Sequence, residues 1–238
     1  MKETIISHLV SFAVMLAALL IFSVNDTVFA ADNSAGASSF SQNSTKTDPL
    51  LLALQHFEQL QTYQVRVRSV SPQDETKIIR YSYRKPGYVR MDFTQPHSGA
   101  ALIYNPVNGK VKLWPFGVGT FPVLNLAPTD SLIKDANGHR VDQADFGVLL
   151  KNIRSLQHEG TTTLGEEKIM GKSTLHLTVV GPAGKTVDAV HQFDIWLDKQ
   201  TGFPTKVISY ALHGKMLETV FMEAMVINKH FPPDFFAP

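Results

Sequence analysis

The chain has 238 residues, with 22 Lys and Arg against 21 Asp and Glu, a formal charge of +1 that gives no reason to expect nucleic acid as a partner. It contains no cysteine, which excludes disulfide stapling, a thiol nucleophile and the acylated cysteine of bacterial lipoproteins. A packed apolar core must therefore stabilise the chain unaided.

Residues 1–30 read as a secretory signal, with Lys2 near the start, an apolar run from Leu9 to Val24, and Val28-Phe29-Ala30 placed for cleavage before Ala31. The competing reading is an uncleaved anchor, because Ile5 to Val24 is interrupted only by Ser7, His8, Ser11 and Ser23 and approaches the ~20 residues that a membrane span needs. The polar residues ahead of Leu9 and the cleavage site favour the signal, hence export to the periplasm. Residues 31–47 (ADNSAGASSFSQNSTKT) are too polar to bury a core and read as a flexible linker, leaving residues 48–238 as one domain.

That domain opens with a helix. Asp48-Pro49 supplies an N-cap and a first-turn proline, and Leu50, Leu51, Leu54, Phe57 and Leu60 follow at helical spacing. From Gln64 the period falls to two, with Val65 and Val67 on one face and Gln64, Arg66 and Arg68 on the other. Lys77 to Arg84 and Tyr88 to Phe93 predict a hairpin about Lys85-Pro86-Gly87, its inner face carrying Val89, Met91 and Phe93. A second hairpin joins Ala101 to Tyr104 with Lys110 to Trp114, Val111 and Leu113 pointing inward. A second helix is predicted with Asp142 as its cap, Phe146, Leu149, Leu150, Ile153 and Leu156 as its stripe, and Gly160 just past its end. The last third predicts strands at Thr174 to Val180, Val187 to Leu197, Lys206 to Leu212 and Met216 to Ile227, with Phe193, Ile195 and Leu197 facing inward. So long an antiparallel sheet with two helices must split into a sandwich or curl; a curled sheet of about ten strands presents a concave apolar face that two helices cannot fill, so an apolar cavity is expected.

The stretches YSYRKPGYVRMDFTQP, ALIYNPVNGKVKLW, FDIWLDKQTGFPTKVISYALHGKMLETVFMEA and the terminal VINKHFPPDFF resemble, in that order, the LolA/LolB-like superfamily of periplasmic lipoprotein carriers. The resemblance covers most of Tyr63 to Phe236. It implies a mainly β (α+β) fold, an open, incomplete antiparallel β-barrel of about eleven strands whose helices cover a concave face that holds acyl chains. It also implies an arginine on an early strand that holds the lid, for which Arg90 is the matching position. The long segment Pro115 to Gly138 departs from the carriers, so the chain is similar to an offshoot of them.

The expected ligand site is the apolar wall Val89, Met91, Phe93, Val111, Leu113, Phe193, Ile195 and Leu197. WPFGVGTFPVLN (Trp114 to Asn125) sets aromatics among Pro and Gly, and its Trp114, Phe116 and Phe121 suit either a lid or a segment tucked onto the core. Arg66, Arg68, Arg80 and Arg84 fall on alternating strand positions, as a basic stripe or an ordinary wet face. DANGHRVDQAD (Asp135 to Asp145) lacks the ligand spacing of a calcium loop and reads as a turn plus a cap, so no metal and no cofactor are expected. His176, His191 and His213 have no Gly-x-Ser-x-Gly serine beside them, and no catalytic residue is nominated. These features predict a non-catalytic, monomeric carrier of a lipid or acylated lipoprotein. The alternatives are an envelope sensor or adaptor binding an inner- or outer-membrane partner protein and, third, a secreted enzyme whose site the sequence does not reveal.

Overall fold

The computed structural model describes residues 48–72, 75–133 and 140–237. Helix α1 (Pro49–Gln59) starts where the sequence predicts, the Asp48 carboxylate accepting the Leu50 N–H at 3.0 Å, and it buries Leu50, Ala53, Leu54 and Phe57. Strands β1 (Thr62–Val70), β2 (Lys77–Arg84), β3 (Tyr88–Gln95), β4 (Ala101–Asn105), β5 (Lys110–Trp114) and β6 (Leu124–Leu126) follow as a meander. Helix α2 (Phe146–Gln157) crosses back, and β7 (Thr161–Ile169), β8 (Lys172–Val180), β9 (Gln192–Asp198), β10 (Pro204–Tyr210) and β11 (Met216–Ile227) complete the chain.

All eleven strands form one antiparallel sheet in the order β6-β5-β4-β3-β2-β1-β11-β10-β9-β8-β7. The two meanders are joined at β1 and β11, where Tyr63 pairs with Ile227 and Val70 with Thr219 across a bulge between Gln64 and Arg66. Strands β6 and β7 do not pair with each other, so the barrel is open. The period-two pattern puts Val65, Val67, Ile79, Tyr81, Tyr83, Val89, Met91, Phe93, Val111 and Leu113 on the inner face, where they pack in one cluster with the apolar stripes of both helices. At its centre Tyr63 stacks on Phe146 at 4.7 Å with 8° between the rings, and on Tyr83 at 5.1 Å.

Several boundaries differ from the sequence expectation. Asp142 does not cap α2: it lies in a short 3-10 turn (Val141–Gln143) and pairs with Arg140 at 2.6 Å, while Asp145 accepts the Val148 N–H at 2.9 Å and is the cap. Gly160 follows α2 as expected, but Glu159 takes the left-handed backbone, φ 65. Glycine is needed at 160 because a Cβ there would lie 2.2 Å from the Leu156 carbonyl oxygen and 2.3 Å from that of Val180. Residues 187–191 form a turn closed by Val187 and Val190, so β9 begins only at Gln192; at the other end of the next strand, Leu212 belongs to a turn rather than to β10.

Candidate functional site

The inner wall of the barrel and helix α1 meet in a cleft. Pro49, Leu52, Ala53 and His56 of α1 form one side of it, Leu164, Gly165 and Glu166 of β7 the other, and Leu175, Leu197 and Asp198 its floor, around ≈ 320 Å³ of space. Leu52 and Leu164 remain 39 % and 40 % exposed at its two lips and give the mouth of the cleft an apolar edge on each side. Its rim is ionic. Lys199 pairs with Glu166 at 2.5 Å, Lys172 with Asp198 at 2.8 Å, and His56 Nδ1 lies 3.2 Å from the Thr201 carbonyl oxygen.

Asp198 holds the turn that follows β9. Burial pushes its carboxyl up, but the Lys172 ammonium and the N–H groups of Gln200 and Thr201 outweigh that, and the group sits below its ordinary value of 3.8. Asp145, under the start of α2, goes the other way: burial dominates and raises it, against the N–H groups of Val148 and Gly147 and the charge of Lys151. The same burial, with the Asp145 charge second, pushes the Tyr83 hydroxyl up to about 12. The Tyr81 hydroxyl donates to the Ala144 carbonyl at 2.5 Å and fastens β2 to the approach to α2.

Val89, Met91, Phe93, Val111, Leu113, Phe193, Ile195 and Leu197 all face the helices and are all buried in the one cluster. Only Leu197 also lines the cleft. Of the three aromatics considered for a lid, Trp114 is a packed residue, 3 % exposed at the end of β5, with the Lys112 ammonium 5.7 Å from its ring. Phe116 and Phe121, on the loop to β6, are 59 % and 91 % exposed. Arg90 points away from the helices. Its guanidinium donates to Asp92 at 2.8 to 3.1 Å and to the Phe235 carbonyl at 3.0 Å, and lies 4.3 Å from the Phe235 ring, so it holds the C-terminal segment rather than a helical lid.

Residues 134–139, most of the turn in DANGHRVDQAD, lie outside the described residues. His176 stacks on Trp196 at 4.1 Å, His191 meets the Lys185 carbonyl at 2.7 Å, and His213 sits in the β10–β11 turn, so the three stand apart. Among the described residues no group of three His, Cys, Asp or Glu side chains could hold a metal, and no helix is long and apolar enough to cross a membrane. The cleft residues Leu52 and Leu164 escaped the sequence reading. The signal for Leu52 was an apolar residue off the buried stripe of α1; Leu164 carried none, since β7 shows no alternation.

Residues 53–238 match the model of a family described as proteins of unknown function, DUF1571. The chain belongs to this family. No curated protein matches the sequence. Among solved structures this DUF1571 chain is similar to MucB, with 16 % identity, a TM-score of 0.51, and coverage of 82 % of this chain and 64 % of that one. The Pseudomonas aeruginosa MucA/MucB complex aligns at 16 % identity and TM-score 0.48, covering 79 % of this chain and 59 % of that one. A putative outer membrane lipoprotein-sorting protein domain from Vibrio parahaemolyticus aligns at 13 % identity and TM-score 0.40, covering 79 % and 95 %. The DUF1571 chain thus spans less than two thirds of the MucB chains, and what it shares with MucB is the fold. That fold is the open, helix-lidded antiparallel barrel implied by the resemblance to the LolA/LolB-like superfamily.

Proposed function

We propose that this protein works in the periplasm as a non-catalytic carrier or shield for an acyl chain or the lipid moiety of a lipoprotein. The observation that supports this most is the cleft between α1 and strands β7 to β9, with Leu52 and Leu164 at its lips and Leu197 at its floor. Its ≈ 320 Å³ falls at the lower end of the range of small-ligand sites. Leu197 is continuous with Ile195 and Phe193 along β9, so a chain entering beside α1 meets the rest of the apolar inner wall as the helix moves aside. Burying each methylene contributes about 0.8 kcal/mol without a polar partner, and such a ligand asks little of the reactive side chains. Val89, Met91, Phe93, Val111 and Leu113, packed beneath the helices in the closed state, would become the far wall of the site once α1 is displaced.

Mass spectrometry of protein purified without detergent tests this reading. Acyl lipid released from the folded protein is the expected result. A lipid-free protein that carries a tightly bound polypeptide would sink the carrier and favour an envelope sensor or adaptor. One observation favours that second reading: β7 offers an unpaired sheet edge nine residues long, which suits addition of a strand from a partner.

A further inference from the structure

We propose that the outer face of strands β10, β11, β1 and β2 docks on a lipid surface carrying anionic phosphate headgroups. This face is turned away from the helices and from the cleft. On it Arg66 and Arg68 of β1 share one carboxylate, Glu223 of β11, at 2.6 and 3.2 Å. Arg80 of β2 is exposed and stands directly across from Arg66 in the strand register. Lys206 of β10 lies on the same face, its ammonium 4.2 Å from the Trp196 ring and 5.8 Å from the Phe221 ring. Four cations on three strands, β2, β1 and β10, are thus set around one carboxylate of β11, Glu223.

The opposed pair Arg66 and Arg80 is the telling feature. Like charges directly opposite on one sheet face repel, and Glu223, held by Arg66, is shared with Arg68, so the three arginines and this carboxylate keep a net positive charge that a further anion would offset. On the next strand the register partner of Arg80, Asp92, is held by Arg90 at 2.8 to 3.1 Å, so that carboxylate is set beside two arginines. The C-terminal segment covers the adjoining part of this face, with Phe236 packed on Tyr88 at 6.0 Å and the Arg84 guanidinium 4.7 Å from the Phe236 ring. Beyond it Arg66 and Arg80 are exposed, and Arg68 and Lys206 partly so.

The layout selects the partner. An extended acidic peptide binds along a groove or a sheet edge, whereas these charges are spread across the strands on a sheet surface, a layer of positive charge that matches a layer of headgroups. Long arginine and lysine stems let the charged ends reach phosphates at different heights, and guanidinium accepts phosphate in a two-point grip. Docked this way, the protein turns its helices and its cleft away from the bilayer. The proposal does not depend on what the cleft holds.

Co-sedimentation of the detergent-free protein with vesicles tests it, using phosphatidylcholine alone and phosphatidylcholine mixed with phosphatidylglycerol. Binding should require phosphatidylglycerol and weaken as salt is raised. Arg80→Ala should lower the affinity about five-fold, as removal of one basic contact at an anionic surface does, Arg80→Glu should lower it further, and Arg80→Lys should preserve it. Because Arg80 is exposed and opposes Arg66, these variants should stay folded and melt at or above the wild-type temperature. Equal binding to both vesicle types would overturn the proposal, as would an Arg80→Glu variant that binds like wild type. So would failure to bind vesicles together with Arg80-dependent binding of polyglutamate, which would assign the face to an acidic protein.

Discussion

At Gly147 the two helices leave no room for a side chain: a Cβ built there would lie 2.5 and 2.8 Å from carbons of the Phe57 ring. Phe57 cannot swing away, since its ring sits 5.7 Å from that of Tyr83 and 6.4 Å from that of Tyr63 in the filled centre of the barrel. Gly147→Ala should therefore destabilise the fold by about 1–3 kcal/mol, the usual cost of overpacking, although alanine is the better helix former. A thermal melt at or above the wild-type midpoint would show that α1 accommodates the methyl group. Asp198 acts through charge instead. Its folded-state value is depressed below 3.8, so its contribution is fully present above that value and is lost as pH falls through the folded one. Asp145 has the opposite sign: raised by burial, it favours the folded state most in acid, and that gain is lost as pH rises through its folded value. In urea titrations the stability gap between wild type and Asp198→Asn should shrink as the pH is taken from about 6 to about 3. A gap that stays constant would mean that the Lys172 pair contributes nothing.

Helix α1 is the element on which the functional reading turns. It is tied to the sheet by its buried stripe and by few polar links, among them His56 near the Thr201 carbonyl, a hydrogen bond from Lys85 Nζ to the Glu58 carbonyl, and Asp48 at 3.8 Å from Arg154. Strands β1, β2 and β11, by contrast, are hydrogen-bonded on both sides at the middle of the sheet. Native-state hydrogen exchange should find the α1 amides opening at a lower free energy than those of β1 and β11. Identical protection would remove the lid motion that the carrier reading needs. The same contrast explains how much of each element could be read from sequence. Strands β1 to β5 and β8 to β11 alternate because one face is buried, and α1 carries its cap and stripe in plain order, so all of these were legible. Strand β7 (TTTLGEEKI) is exposed along nearly its whole length and has no buried face to write a period, while β6 spans only three residues. The Asp142 error arose because Asp142 and Asp145 both suit a cap, and the tightly wound turn at 141–143 that decides between them leaves no mark in the sequence.

For the molecule as a whole, the open edge between β6 and β7 separates a carrier from an ordinary filled barrel. The sequence predicted the mainly β architecture and its inner-face residues, together with an apolar cavity lined by them; those residues instead pack in one cluster with both helices. Val89, Met91, Leu113 and Ile195 are packed beneath α1 and α2, and the space of the cleft lies to one side, where α1 meets β7 and β8. Half of that site rests on an edge strand with no sequence period and the other half on Leu52, off the stripe of α1, and the two come together only through the fold. In the proposed function this cleft admits an acyl chain and opens onto the inner wall. The most direct measurement is the affinity of fluorescent fatty-acid probes of increasing chain length for the wild-type protein and for Leu52→Glu, whose half-exposed site should leave the fold intact. Affinity should climb with length, by up to about four-fold for each methylene fully buried, and Leu52→Glu should weaken binding at every length. Wild-type protein indifferent to probes of all lengths, or a folded Leu52→Glu that binds them as well as wild type, would contradict it.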